Sequence, residues 1–218
     1  MTGTALRAVL DSRPVSGYGT CFRGNDECGR RRLAVGVCGG RKRLLMQVTV
    51  LGGSGFVGRH LVATLVAAGH GPIRVLSRSP ERVFSDGRRS LAVAFEAVET
   101  LAGIGKLGRE DVVAARNRAD RGEAVLRESV EVIEGDARDW NAVREAVSSA
   151  DAVVHAVGII RETEGRSFGD TNVGTTQSLI DAMKDVGTNR LIYLGILGAS
   201  DDPEMPYGRS RWKAEDAV

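Results

Sequence analysis

One stretch constrains this chain more than any other: Gln47 to Ala67, QVTVLGGSGFVGRHLVATLVA. A short apolar, β-branched run at Val48, Val50 and Leu51 reads as a buried strand. Phe56, Val57, Leu61, Val62, Leu65 and Val66 then recur at helical spacing. Between strand and helix lie Gly52, Gly53, Gly55 and Gly58, which satisfy G-x-G-x-x-G from Gly53 and G-x-x-G-x-x-G from Gly52 at once. Either spacing serves the same chemistry. Glycines allow a tight turn and close backbone approach, and the helix N-terminus offers free N–H groups and a positive dipole end to a pyrophosphate. The segment predicts a dinucleotide-binding opening, with Gly52, Gly53, Ser54, Gly55, Phe56, Val57, Gly58 and Arg59 as candidate contacts.

The next strand supports this reading and bears on the choice of nucleotide. Ala68-Gly69-His70-Gly71-Pro72 ends the helix, and Ile73, Val75 and Leu76 form strand two. NAD-specific sites place an Asp or Glu about 20 residues after the glycines, on the ribose 2′-hydroxyl. Here the strand ends in Ser77-Arg78-Ser79. A guanidinium fork suits a phosphate, so Arg78, with Arg59 as a second candidate, favours NADP(H), with NAD(H) as the alternative.

Residues 80–128 are longer than one crossover helix requires. Leu91, Phe95, Val98 and Leu101 fall at helical spacing, Gly103 to Gly108 form a break, and a charged helix covers roughly 110–127. An inserted helical hairpin, solvated rather than catalytic, is expected over about 85–128. Regular order then resumes. Val130, Val132 and Ile133 make strand three, and Asp139 caps a helix from Trp140 to Val147. Residues 151–158 make strand four, Asn172 to Val186 a helix stopped by Gly187, and residues 190–194 strand five. Alternating strands and helices predict a Rossmann-like α/β fold: a doubly wound parallel sheet ordered 3-2-1-4-5, with its ligand crevice at the strand C-termini. Arg78, Asp136, Ala137 and Ala156 to Gly158 share that edge with the glycines.

Charge divides the chain unevenly. Residues 1–45 carry nine Lys/Arg against three acids, a balance of +6, so a net charge of +2 leaves −4 on the remainder. An acidic folded part argues against nucleic acid as a partner. The arm shows no sustained apolar period and is expected to be disordered, with 46–218 as the folded domain. Two origins stay open for it: an extension upstream of a start at Met46, or an Arg-rich transit peptide. The compartment is accordingly cytoplasmic, or an organellar matrix. Cys21, Cys28 and Cys38 match no zinc spacing, and no His/Cys/Asp/Glu cluster suggests a metal. No run approaches the roughly 18 apolar residues of a membrane span. A soluble or peripheral protein is expected.

With these motifs placed, the chain resembles the extended or atypical short-chain dehydrogenases/reductases of the NAD-dependent epimerase/dehydratase kind. LGGSGFVGRHLV, EGDARD, VVHAVGIIRE, FGDTNVGTTQSLIDA, RLIYLGILGAS and PYGRSRWKAE carry the resemblance, which is nearest to the family of the complex I alpha-subcomplex subunit 9 and its bacterial relatives. It implies that Asp136 binds the adenine amino group, that Ala156, Val157 and Gly158 line adenosine and ribose, and that Asn172 steadies the central helix near the nicotinamide. It also implies a Tyr-x-x-x-Lys proton-transfer pair at Tyr207 to Arg211, where the lysine is replaced. Lys213 lies on another face of the helix, since six residues do not return to it as four do. The usual serine after strand five is missing, and Ser200 lies further along. His155, inside an apolar strand, reads as a packed core residue rather than a base.

Three functions follow in order: an NADP(H)-binding protein with weak or no conventional dehydrogenase activity; an active NAD(P)-dependent oxidoreductase or nucleotide-sugar epimerase/dehydratase using Tyr207 and Arg211 on an unknown small substrate; or a non-catalytic accessory module of a respiratory or quinone-linked membrane complex. Extended members carry a C-terminal substrate region beyond the helix in which this sequence stops, so a missing region is expected.

Overall fold

The computed structural model describes residues 6–8, 34–38, 41–85, 87–105 and 108–218. Three short strands precede the glycine turn: β1 (Leu6–Ala8), β2 (Ala34–Cys38) and β3 (Arg41–Leu45). They fall within the stretch expected to lack regular structure. Cys21, Cys28 and the Arg30 to Arg32 run lie outside the described residues.

From Val48 onward strands and helices alternate. β4 (Val48–Leu51) leads through the turn into α1 (Phe56–Ala67), and β5 (Ile73–Ser77) follows. Four helices come next: α2 (Pro80–Ser85), α3 (Gly87–Gly103), α4 (Arg109–Arg121) and α5 (Glu123–Ser129). They deliver the chain to β6 (Val130–Glu134), α6 (Trp140–Val147) and β7 (Ala152–His155). A wide π-helical turn over Gly169–Gly174 opens α7 (Thr175–Val186), after which come β8 (Leu191–Leu194) and α8 (Pro206–Asp216).

The main sheet runs β1-β8-β7-β4-β5-β6. Its five strands from β4 onward are mutually parallel, in the expected order 3-2-1-4-5, and β1 adds an antiparallel edge along β8. β4 and β7 are buried along their whole length, which explains their largely apolar sequences, with Thr49 and His155 as the polar members: both faces of a doubly wound sheet are covered. Alternation sends neighbours to opposite layers. Val50 and Val75 pack with α1 and α3 residues such as Val62, Val66 and Leu91, whereas Leu51 and Leu76 pack with Val143, Val147 and Leu179 of α6 and α7.

The segment between β5 and β6 differs from the expectation of a solvated arm. Leu91, Ala94 and Val98 of α3, Ala115 of α4 and Leu126 of α5 are buried in the first layer's core. The extra helices are the cover of one sheet face. Arg118 on α4 donates from Nη1 to Ala67 O at 3.0 Å, placing a cation on the carbonyl end of α1, where the helix dipole favours it. Only the outward positions, Val93 and Val113 among them, are solvated.

Candidate functional site

Parallel strands end together, so the exits of β4, β5, β6 and β7 open into one cleft. The glycine turn forms its floor by near-contact of backbone with backbone. Gly52 adopts φ +83°, a conformation that side chains resist, and Gly55 N donates to Gly52 O at 2.9 Å. A Cβ on Gly58 would come within 2.1 Å of Gly52 O, and one on Gly53 within 2.6 Å of Val75 Cγ1. The turn therefore closes only with bare backbone at these points. Gly55 caps α1, whose first turn contains no acid and whose leading N–H groups have no intrahelical partner. An anion seat at a helix N-terminus results, and its residues fit a pyrophosphate.

At the end of β5, Ser77 is buried and its hydroxyl is committed: Oγ donates to Ser54 Oγ at 2.8 Å and accepts from Ser79 N at 3.1 Å. This pair fastens the glycine turn to the β5 exit. Arg78 follows, half exposed, with Nη1 4.0 Å from Asp136 Oδ2. Asp136 is more firmly held by Arg138, which donates to it from the backbone N (2.9 Å), Nε (3.2 Å) and Nη2 (3.0 Å). Those side-chain hydrogen bonds hold the Asp136 carboxyl below the usual carboxylate range.

Of the residues expected to meet a cofactor, Gly52, Ser54, Gly55, Ser77, Arg78, Asp136, Ala137, Ala156, Val157 and Gly158 line the cleft. Gly53 and Gly58 shape it from beneath. Phe56 stands exposed at the helix start with the Arg59 guanidinium over its ring, Cζ 5.4 Å from the centroid; neither these two nor Val57 lines the cleft. Asn172 is fully buried and acts as a tie. Its Oδ1 accepts from Ile159 N at 2.8 Å, while Nδ2 donates to Ile159 O at 3.1 Å and to Ser210 Oγ at 2.9 Å. It thus joins the π turn to the loop after β7 and to α8.

Several lining residues carry no mark in the sequence pattern: Arg138, Ile159, Arg166, Thr171 and Thr175. Arg138, two residues from Asp136, could have been found as a cation at a strand exit. Arg166 could not, because the loop after β7 brings it back over the cleft.

Neither candidate catalytic residue lines the cleft, although Arg211 backs its Val157–Gly158 wall. Tyr207 is half-buried, with its ring 5.7 Å from that of Phe168, and does not line the cleft. Arg211 is buried: Nη2 donates to Leu194 O, and Nη1 lies 3.5 Å from Val157 O. Its guanidinium braces the exits of β7 and β8. Close by, His155 is sealed in the core with Nε2 2.9 Å from Thr176 Oγ1. Thr176 donates its own proton to Asn172 O at 2.8 Å, which assigns the histidine proton to Nε2. Burial, helped by the Arg211 charge, lowers the His155 pKa to about 3. Burial likewise raises Tyr193, the neighbouring phenol, to about 12. No group of three or more metal-binding side chains occurs among the described residues, and no helix there is long and apolar enough to cross a membrane.

A parallel sheet with a glycine-turn anion seat at its topological switch point defines a dinucleotide-binding Rossmann protein. The model of the NAD dependent epimerase/dehydratase family matches residues 48–205, and the chain belongs to that family. It is 28% identical over 163 residues to the NADH dehydrogenase [ubiquinone] 1 alpha subcomplex subunit 9, mitochondrial, of Dictyostelium discoideum, covering 75% of this chain and 35% of that protein. The 3 beta-hydroxysteroid dehydrogenase/Delta 5-->4-isomerase of Mycobacterium tuberculosis is 27% identical over 179 residues, covering 75% and 37%. The chain thus spans little more than a third of the length of either relative. In fold it is similar to Pen from Bacillus thuringiensis, with a TM-score of 0.54 at 18% identity over 80% of this chain and 46% of that one.

Proposed function

We propose that this chain binds NADP(H) in preference to NAD(H) and has little or no conventional dehydrogenase activity. The observation that carries the cofactor reading is Arg78: a half-exposed guanidinium at the β5 exit, where an NAD-specific site would need a carboxylate. Bound there, a nicotinamide dinucleotide would supply hydride transfer. The chain's part is to seat the pyrophosphate on the α1 N-terminus, the adenosine against Asp136, Ala156 and Val157, and a 2′-phosphate on Arg78.

Weak activity is supported by Arg211. A lysine at this helix position would hold the nicotinamide ribose and lower the phenol's pKa; Arg211 instead directs Nη2 to Leu194 O and Nη1 to Val157 O. With that charge turned toward the sheet's carbonyls, Tyr207 lacks the lysine partner that would activate it. The test is titration of NADPH and NADH into the 218-residue chain, followed by nicotinamide fluorescence, with Arg78→Ala alongside. Tighter binding of NADPH that is lost in the variant supports the reading. Equal binding of both nucleotides, or none by folded protein, refutes it.

A second reading, an accessory module of a membrane-associated respiratory complex in an organellar matrix, is favoured by the relatives named as complex I subunit 9, including that of Arabidopsis thaliana at 26% identity over 227 residues. Under that reading the cofactor is structural, and a protein partner takes the place of a substrate. An active oxidoreductase using Tyr207 has the hydroxysteroid dehydrogenase relative in its favour.

A further inference from the structure

We propose that Arg166, carried on the turn after β7, is the second arm of a grip on the cofactor's 2′-phosphate, facing the same cleft as Arg78, and that Arg138 holds the turn in place. The proposal rests on the NADP(H) reading above and deepens it.

The turn is a defined element. Thr163 N donates to Arg166 O at 3.2 Å and Arg166 N to Thr163 O at 2.9 Å, closing a small ring around Glu164 and Gly165. Arg138 straps this ring to the β6 exit: Nη1 donates to Gly165 O at 3.1 Å, while Nε and Nη2 grip Asp136. One side chain thus fixes both the adenine-side carboxylate and the turn bearing Arg166.

Charge then decides what the cleft suits. Among the described residues, Arg78, Arg138 and Arg166 line it against the single acid Asp136. Arg138 neutralises Asp136 with bonds to both carboxylate oxygens. Arg78 stands at 4.0 Å from the same carboxylate, at the edge of pairing, and among the described residues the Arg166 guanidinium has no hydrogen-bond or ion-pair partner. Two arginine forks are left to one cleft. A phosphate monoester near neutral pH carries about −1.5 to −2 charges and three acceptor oxygens, which matches that excess. Arginine forks recognise such a group bidentately. A 2′-hydroxyl, as in NAD(H), offers no charge and would leave both forks without their anion.

The experiment measures Kd for NADPH, NADH and 2′,5′-ADP with the full chain, Arg166→Ala, Arg166→Lys and Arg78→Ala, thermal unfolding confirming that each is folded. Arg166→Ala should weaken NADPH and 2′,5′-ADP by about tenfold or more and NADH by less than about twofold, the size expected for a lost charged hydrogen bond. Arg166→Lys should recover part of the loss, because it keeps the charge without the fork. If Arg78→Ala selectively weakens NADPH and Arg166→Ala does not, the two-armed grip is wrong and the NADP(H) reading stands. If the unaltered chain binds NADH as tightly as NADPH, both fall.

Discussion

The guanidinium of Arg211 lies over the phenol ring of Tyr193, Cζ 4.9 Å from the ring centroid, beneath the joined ends of β7 and β8. With Leu194 O and Val157 O as its acceptors, it ties α8 to the sheet. Arg211 is part of the scaffold. Arg211→Ala leaves buried carbonyls without a donor and opens space around Tyr193. It should cost about 2–4 kcal/mol of stability. Urea denaturation followed by circular dichroism measures this; a loss under about 0.5 kcal/mol, usual for a surface change, would contradict the bracing role.

His155 makes stability depend on pH. Its pKa is about 3 in the folded protein against an ordinary 6.5, so between these values the unfolded chain binds more protons. The stabilisation is whole above pH 6.5 and declines as pH falls toward 3, by about 1.4 kcal/mol per unit at most. His155→Gln removes this titration. The difference in unfolding free energy between unaltered chain and variant should shift in the variant's favour from pH 7.5 to 5.0, and a difference that stays constant would contradict a buried neutral histidine.

The helices between β5 and β6 offer a test by contrast. Leu91 is fully buried on α3, whereas Val93, two residues on, is 55% exposed. Leu91→Ala should cost about 2–5 kcal/mol, and Val93→Ala less than about 0.5 kcal/mol. Equal small effects in chemical denaturation would mean that α3 is not part of the core.

Gly58→Ala tests the turn itself. The added methyl would collide with Gly52 O, and backbone at that point has no room to withdraw. Nucleotide binding should fall by about tenfold or more while most secondary structure persists, since displacing the α1 N-terminus removes the anion seat. Calorimetric titration with NADPH and a circular dichroism spectrum together decide it.

Sequence alone determined the strand–turn–helix opening, the parallel sheet order and most of the cleft's lining. The reasons are local: glycine is required where backbone meets backbone, as at Gly52 and Gly58, and unbroken apolar runs such as residues 152–154 form strands only when covered on both faces. The burial of Leu91 and Leu126 was not legible, because a helix's own period marks an apolar face without saying whether a neighbour covers it. Nor could spacing reveal where long side chains end. The sequence pattern offered Arg211 as a candidate catalytic residue, yet its reach of several bonds takes the charge under the sheet. Arg166 lies 30 residues beyond Asp136 and shares a cleft with it only because the loop after β7 folds back and Arg138 bonds Gly165 O. Those partners are chosen by three-dimensional proximity, which the tertiary structure alone supplies.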